Sequence, residues 1–169
     1  MSEELLRGLT LVTALGAGLT AGVLFAFSTF VMKGLNERPP AQAIDAMNAI
    51  NRHAPNPWFM TAVFGAALGS LVLIVGSLLA WFIGRGIASG IVNITGAMRE
   101  LAGGALFLVS VAITVACNVP RNDALAAVDS GSPTAAATWT AFYREWTLWN
   151  HVRTLGAFAG TVALTLAYR

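Results

Sequence analysis

Charge is scarce in this chain. Asp, Glu, Lys and Arg together make up only 11% of its 169 residues, where a soluble domain carries about a quarter. Cysteine is scarcer still. Cys117 stands alone, so an intramolecular disulfide and a CxxC redox pair are both excluded, and with them a disulfide-shuttling oxidoreductase. Only two histidines occur, His53 and His151, and no helix carries an HxxxH or ExxH pair, so metal-ligand spacing is missing. There is no Walker-type loop, GxGxxG turn or GxSxG elbow. The formal net charge of +2 comes from scattered basic residues and makes no nucleic-acid groove.

What the chain has instead is apolar sequence. Hydrophobic residues account for 56% and the mean hydropathy is +0.69. Gly8–Met32, Pro57–Gly84 and Leu101–Val119 contain no charge, and Thr154–Tyr168 is a shorter run of the same kind. Crossing a hydrocarbon core about 30 Å thick takes roughly 20 apolar residues in a helix. One such run fits the buried helix of a soluble core. Four in so short a chain leave too little polar sequence to cover them.

The expected fold is therefore all-α: one polytopic membrane domain over 1–169 with four transmembrane helices in a bundle. The helices are expected at about 5–33, 57–83, 97–118 and 148–168, with short amphipathic helices in the 1–2 and 3–4 connections. The N-terminus, Met1-Ser2-Glu3-Glu4, is acidic where a secretory signal is basic, so the first helix reads as retained. Pro120 is expected to end the third helix near Asn118. Ser132 followed by Pro133 reads as the start of the helix leading into the last crossing. The Gly-rich stretch at 84–96 has no assigned role. Small residues recur four apart at Gly18/Gly22, Gly65/Gly69 and Gly156/Gly160. That spacing serves close helix packing in lipid, either inside one bundle or between copies of a homo-oligomer.

Four crossings put most polar residues on one membrane face. Asn51, His53, Asn118, Asn122, Glu145, Asn150, His151 and Arg153 gather there. Glu3, Glu4, Arg7, Arg85, Arg99 and Glu100 on the other face read as interfacial anchors. Counting back about 20 residues from Arg169 sets Asn150, His151 and Arg153 at the hydrocarbon boundary. An Arg at that depth either faces a polar cavity or snorkels to the headgroups. Trp139, Phe142, Tyr143, Trp146, Trp149, Asn150 and Arg153 follow helical steps along one stripe. The stripe reads equally as the wall of a pocket or as an aromatic belt.

These same segments carry a resemblance. Gly22, Phe27-Ser28 and Met32, then Met47-Asn48-Ala49-Ile50-Asn51, Asn118-Val119-Pro120-Arg121-Asn122-Asp123, and Trp139, Tyr143 and Trp146 leading into Trp149-Asn150-His151-Val152-Arg153 resemble the anthrone oxygenase-like family of small four-helix membrane proteins. The resemblance implies oxidation of a flat, lipophilic, enolisable anthrone or phenol by O2, without a recognised cofactor. On that reading His151 is the base, with His53 as the alternative. Arg153, Asn150, Asn118 and Asn122 hold the developing oxyanion. Asn51 joins the substrate-binding set, and Tyr143, Trp146 and Trp149 stack on the rings. The expected partners are membrane lipid, the aromatic substrate and O2, and the expected location is a bacterial inner (plasma) membrane. A non-catalytic membrane subunit or small-molecule-binding protein is the alternative.

Overall fold

The computed structural model describes residues 3–84 and 94–168. Most of the Gly-rich stretch, 85–93, lies outside the described residues. The regular elements are all helical. Helix α1 (Glu3–Ala26) passes through a π-helical turn (Phe27–Val31) into α2 (Met32–Asn36). Helix α3 (Pro40–His53) and the long α4 (Pro57–Gly84) follow. Helix α5 (Ile94–Ile113) passes through a second π turn (Thr114–Asn118) into α6 (Val119–Ala126), and α7 (Ala135–Tyr168) completes the chain.

Three helical stretches, Glu4–Asn36, Pro57–Leu79 and Thr95–Ala126, are long and apolar enough to cross a membrane. They mark an integral membrane protein. Their outward faces agree, with Leu15, Phe64, Leu68 and Met98 all more than half exposed, as lipid-facing side chains are.

The bundle closes as a ring in which α1 packs on α4 and α7, and α5 packs on the same two helices. Its core is built from small residues, including Ala14, Ala17, Ala21, Ala66 and Ala157, filled out by Leu73, Phe107 and Leu164. Helices α5 and α7 approach most closely. A Cβ on Gly160 would lie 2.8 Å from the Gly103 carbonyl oxygen, and one on Gly103 would lie 3.0 Å from the Gly160 oxygen. Of the glycine pairs, Gly18, Gly69, Gly156 and Gly160 meet neighbouring helices within the chain, whereas Gly22 and Gly65 face open space.

A second core sits beyond one end of the bundle. Helix α3 turns Ala43, Ile44 and Met47 inward against Met32, Leu125, Trp139, Phe142 and Trp146, so α2, α3, α6 and the first half of α7 form one lobe. Two boundaries differ from expectation. The third helix does not end at Asn118, because the π turn absorbs Pro120. Val119 donates its N–H to the Thr114 carbonyl, five residues back, and Pro120 enters at the first turn of α6, where its missing N–H does no harm. Helix α7 starts at Ala135, while Ser132 and Pro133 lie in the preceding turn, the Ser132 and Thr134 hydroxyls sharing a 3.0 Å hydrogen bond.

Glu100 is also not an interfacial anchor. It is 9% exposed, and its two carboxylate oxygens accept from Thr10 of α1 at 3.2 Å and Ser77 of α4 at 3.0 Å. Arg99, one position earlier, points outward and donates to the Leu166 carbonyl at 3.1 Å.

Candidate functional site: a buried arginine between two π turns

Asn150 and Arg153, three apart on α7, share one helix face and are buried at 0% and 6% exposure. Arg153 donates from Nε at 3.1 Å and Nη2 at 2.9 Å to the same oxygen, Asn150 Oδ1. Its Nη1 donates to Thr114 Oγ1 at 3.1 Å. The guanidinium lies over the Trp146 ring, 5.1 Å from its centroid, a favourable place for a cation. A guanidinium has five N–H hydrogens. Three find partners among the described residues, and every one of those partners is neutral. The ion pair among the described residues is Arg121–Glu145 at 3.0 Å, on the surface.

The two π turns supply the walls. Ser28 lies in the first, Thr114 and Asn118 in the second, and both turns pack on α7. π turns recur at functional sites because the extra residue re-aims side chains. Asn150 Nδ2 donates to Ser28 Oγ at 2.7 Å and to the Leu24 carbonyl at 2.9 Å. The Ser28 and Thr154 hydroxyls share a 3.1 Å bond, and Ser110 donates to the Arg153 carbonyl at 2.8 Å. Asn118, fully buried, donates from Nδ2 to the Trp146 carbonyl at 3.2 Å and leaves its Oδ1 without a partner. The Trp146 indole N–H donates to Asn122 Oδ1 at 2.8 Å, and the Trp139 indole to Asn36 Oδ1 at 3.0 Å.

The residues expected at the site therefore divide. Asn150, Arg153, Asn118, Asn122 and Trp146 come together. Asn150 uses both amide hydrogens on the protein and both acceptor directions on Arg153, so it orients the guanidinium and has no donor left for an oxyanion. Asn122 is tied to Trp146 through its oxygen alone, which leaves the amide hydrogens of Asn122 outside that bond. Asn51 sits half-buried near the end of α3, its Nδ2 buried and unpartnered, as is Oδ1 of neighbouring Asn48.

His151 does not join the network. Two residues from Arg153 on an α-helix, it is turned about 200° away. It is exposed in an outer groove of ≈ 400 Å³ with Tyr143, Thr147 and Leu148. His53 is exposed too, and Trp149 is half-buried.

The aromatic stripe is neither an open pocket nor an aromatic belt. Trp139 and Trp146 are each 3% exposed and Phe142 7%. Their rings pack on one another and on Phe27, with centroids 5.6 to 6.1 Å apart. Ser28, Thr114, Ser110 and Thr154 were not among the expected site residues. Their sequence signal is weak, a hydroxyl inside an uncharged run.

Residues 58–163 match the family model described as anthrone oxygenase. The matched range takes in α4 to α7 but not Ser28 or the Met47–Asn51 segment. No curated protein and no solved structure matches the chain. The family match covers well over half of the sequence, and the chain belongs to the anthrone oxygenase family.

Proposed function

We propose that the protein is a membrane-embedded oxygenase-like enzyme that oxidises a flat, lipophilic anthrone- or phenol-type substrate with O2, without a cofactor, through the substrate's enolate. The apolar half of α7, about 148–168, is the fourth crossing, and the membrane is a bacterial inner membrane. Gly22 and Gly65, unused within the chain, are where a second copy would pack in a homo-oligomer.

The observation that carries this reading is the uncompensated Arg153. A cation held out of water against neutral partners is expensive, and near the bilayer an arginine so placed marks a functional site. An anionic ligand removes that penalty. When an anthrone loses its carbon-bound proton to water, the charge passes to the carbonyl oxygen, where the two remaining Arg153 hydrogens can meet it. Stabilising charge that develops only as the proton leaves is what speeds such a step. Asn51 is a second donor at the same end of the molecule. The Asn118 oxygen accepts only, and suits a substrate hydroxyl. Trp146 is packed against Arg153, Phe142 and Phe27, so stacking on the substrate falls to Tyr143 and Trp149 at the edge of the lobe.

Oxygen uptake by the purified protein with an anthrone tests the reading. Uptake no faster than in buffer removes it. A second reading has its own support. The indoles are packed and hydrogen-bonded, which suits a non-catalytic membrane subunit or small-molecule-binding protein whose polar network pins the lobe to the bundle. It predicts saturable binding without turnover.

A further inference from the structure

A groove of ≈ 440 Å³ runs down the outside of the bundle between α1 and α7, at the end opposite Arg153. Leu11, Leu15 and Leu19 form one wall, Thr161 and Thr165 the other, and Tyr168 stands at its mouth. Gly18 keeps the floor low, since a Cβ there would already lie 3.3 Å from Thr161 Cγ2. Arg7 belongs to the same stripe, one turn before Leu11. Its guanidinium lies 5.6 Å from the Tyr168 ring centroid and donates weakly, at 3.5 Å, to the Tyr168 carbonyl. Arg7 is exposed, as is Glu4 one turn earlier, and the two form no ion pair among the described residues. Arg99 is anchored to the same helix end through Leu166.

The length of the groove selects its occupant. From Arg7 to Leu19 is about 18 Å at ~1.5 Å per residue, close to one leaflet of a core about 30 Å thick. A helix of a second copy packs on small residues that let backbones approach, whereas Leu11, Leu15 and Leu19 line this wall. A phospholipid needs one leaflet, with a basic group at headgroup level and an apolar trough below. Arg and Tyr at a helix end provide that level.

We propose that this groove binds one anionic phospholipid, with its phosphate on Arg7 and one acyl chain laid along Leu11, Leu15 and Leu19. Native mass spectrometry of the full chain released from detergent, titrated with phosphatidylglycerol or phosphatidylcholine of matched chains, tests it. Wild type is expected to retain phosphatidylglycerol about fivefold better, the worth of one basic residue beside an anionic headgroup. Arg7→Gln should bring the two lipids level. Thr165→Trp, which fills the trough from an exposed wall, should reduce retention of both. Equal retention by wild type, a preference that survives Arg7→Gln, or retention indifferent to Thr165→Trp each overturns the proposal. A dimer that Thr165→Trp abolishes and lipid does not displace overturns it in favour of a second copy.

Discussion

Two charges are buried at opposite ends of this bundle, and the protein treats them differently. Each Glu100 oxygen has a donor, one from α1 and one from α4, so the carboxylate fastens three helices together. Arg153 receives one amide oxygen, one hydroxyl and one ring face, and keeps two hydrogens unassigned. They do not serve each other. Ser110, which bonds the Arg153 carbonyl, lies ten residues after Glu100 on α5, about 15 Å along the axis at ~1.5 Å per residue. A charge whose partners are complete is a fastener. A charge left short of partners has room for a ligand.

The largest test of that contrast is Arg153→Met, which should lower anthrone-dependent oxygen uptake by more than about a hundredfold, the usual worth of a lost oxyanion donor. A rate within a few-fold of wild type would make Arg153 a fastener as well. Next is Thr114→Asp, which sets a carboxylate against Nη1. Turnover should fall at least about tenfold as the site becomes internally neutralised, while thermal stability in detergent holds or rises. If activity and stability fall together, the network is structural. At the other end, Glu100→Ala strands the Ser77 hydroxyl and leaves Thr10 bonded to the Leu6 carbonyl alone, so the unfolding free energy should drop by about 1–3 kcal/mol with turnover of the remaining folded protein unchanged. Glu100→Gln keeps an acceptor and should lose less than Glu100→Ala. The smallest effect is expected from His151→Ala. A general base contributes about 10²–10⁴-fold, so a rate kept within about twofold denies His151 that role.

Much of the fold was legible because the solvent is lipid. Lipid forces long uncharged helices, and the runs at Gly8–Met32, Pro57–Gly84 and Leu101–Val119 show them openly. Arg153 was legible as the charge that borders the uncharged run Thr154–Tyr168, where a cation needs a reason. Which way neighbouring residues point was not. Arg99 and Glu100 are adjacent in sequence and about 100° apart on the helix, so one reaches the surface and the other the core. Likewise His151 and Arg153 read as one polar patch, although the helix sends them to opposite sides. The aromatic stripe had the right residues and the wrong use, because periodicity reports that a face is apolar and not whether it is filled. The π turns have no pattern in the sequence at all.

Those turns have a bearing on the indoles. Each holds one residue more than an α turn, so the chain beyond it is rotated by about 100° relative to an uninterrupted helix. Asn36 follows the first turn and meets Trp139; Asn122 follows the second and meets Trp146. Both asparagine–tryptophan bonds therefore depend on an angular offset set several residues upstream. A single-residue deletion within Phe27–Val31 or Thr114–Asn118 would remove that offset and leave every side chain of the lobe in place by name, with one indole facing the wrong neighbour.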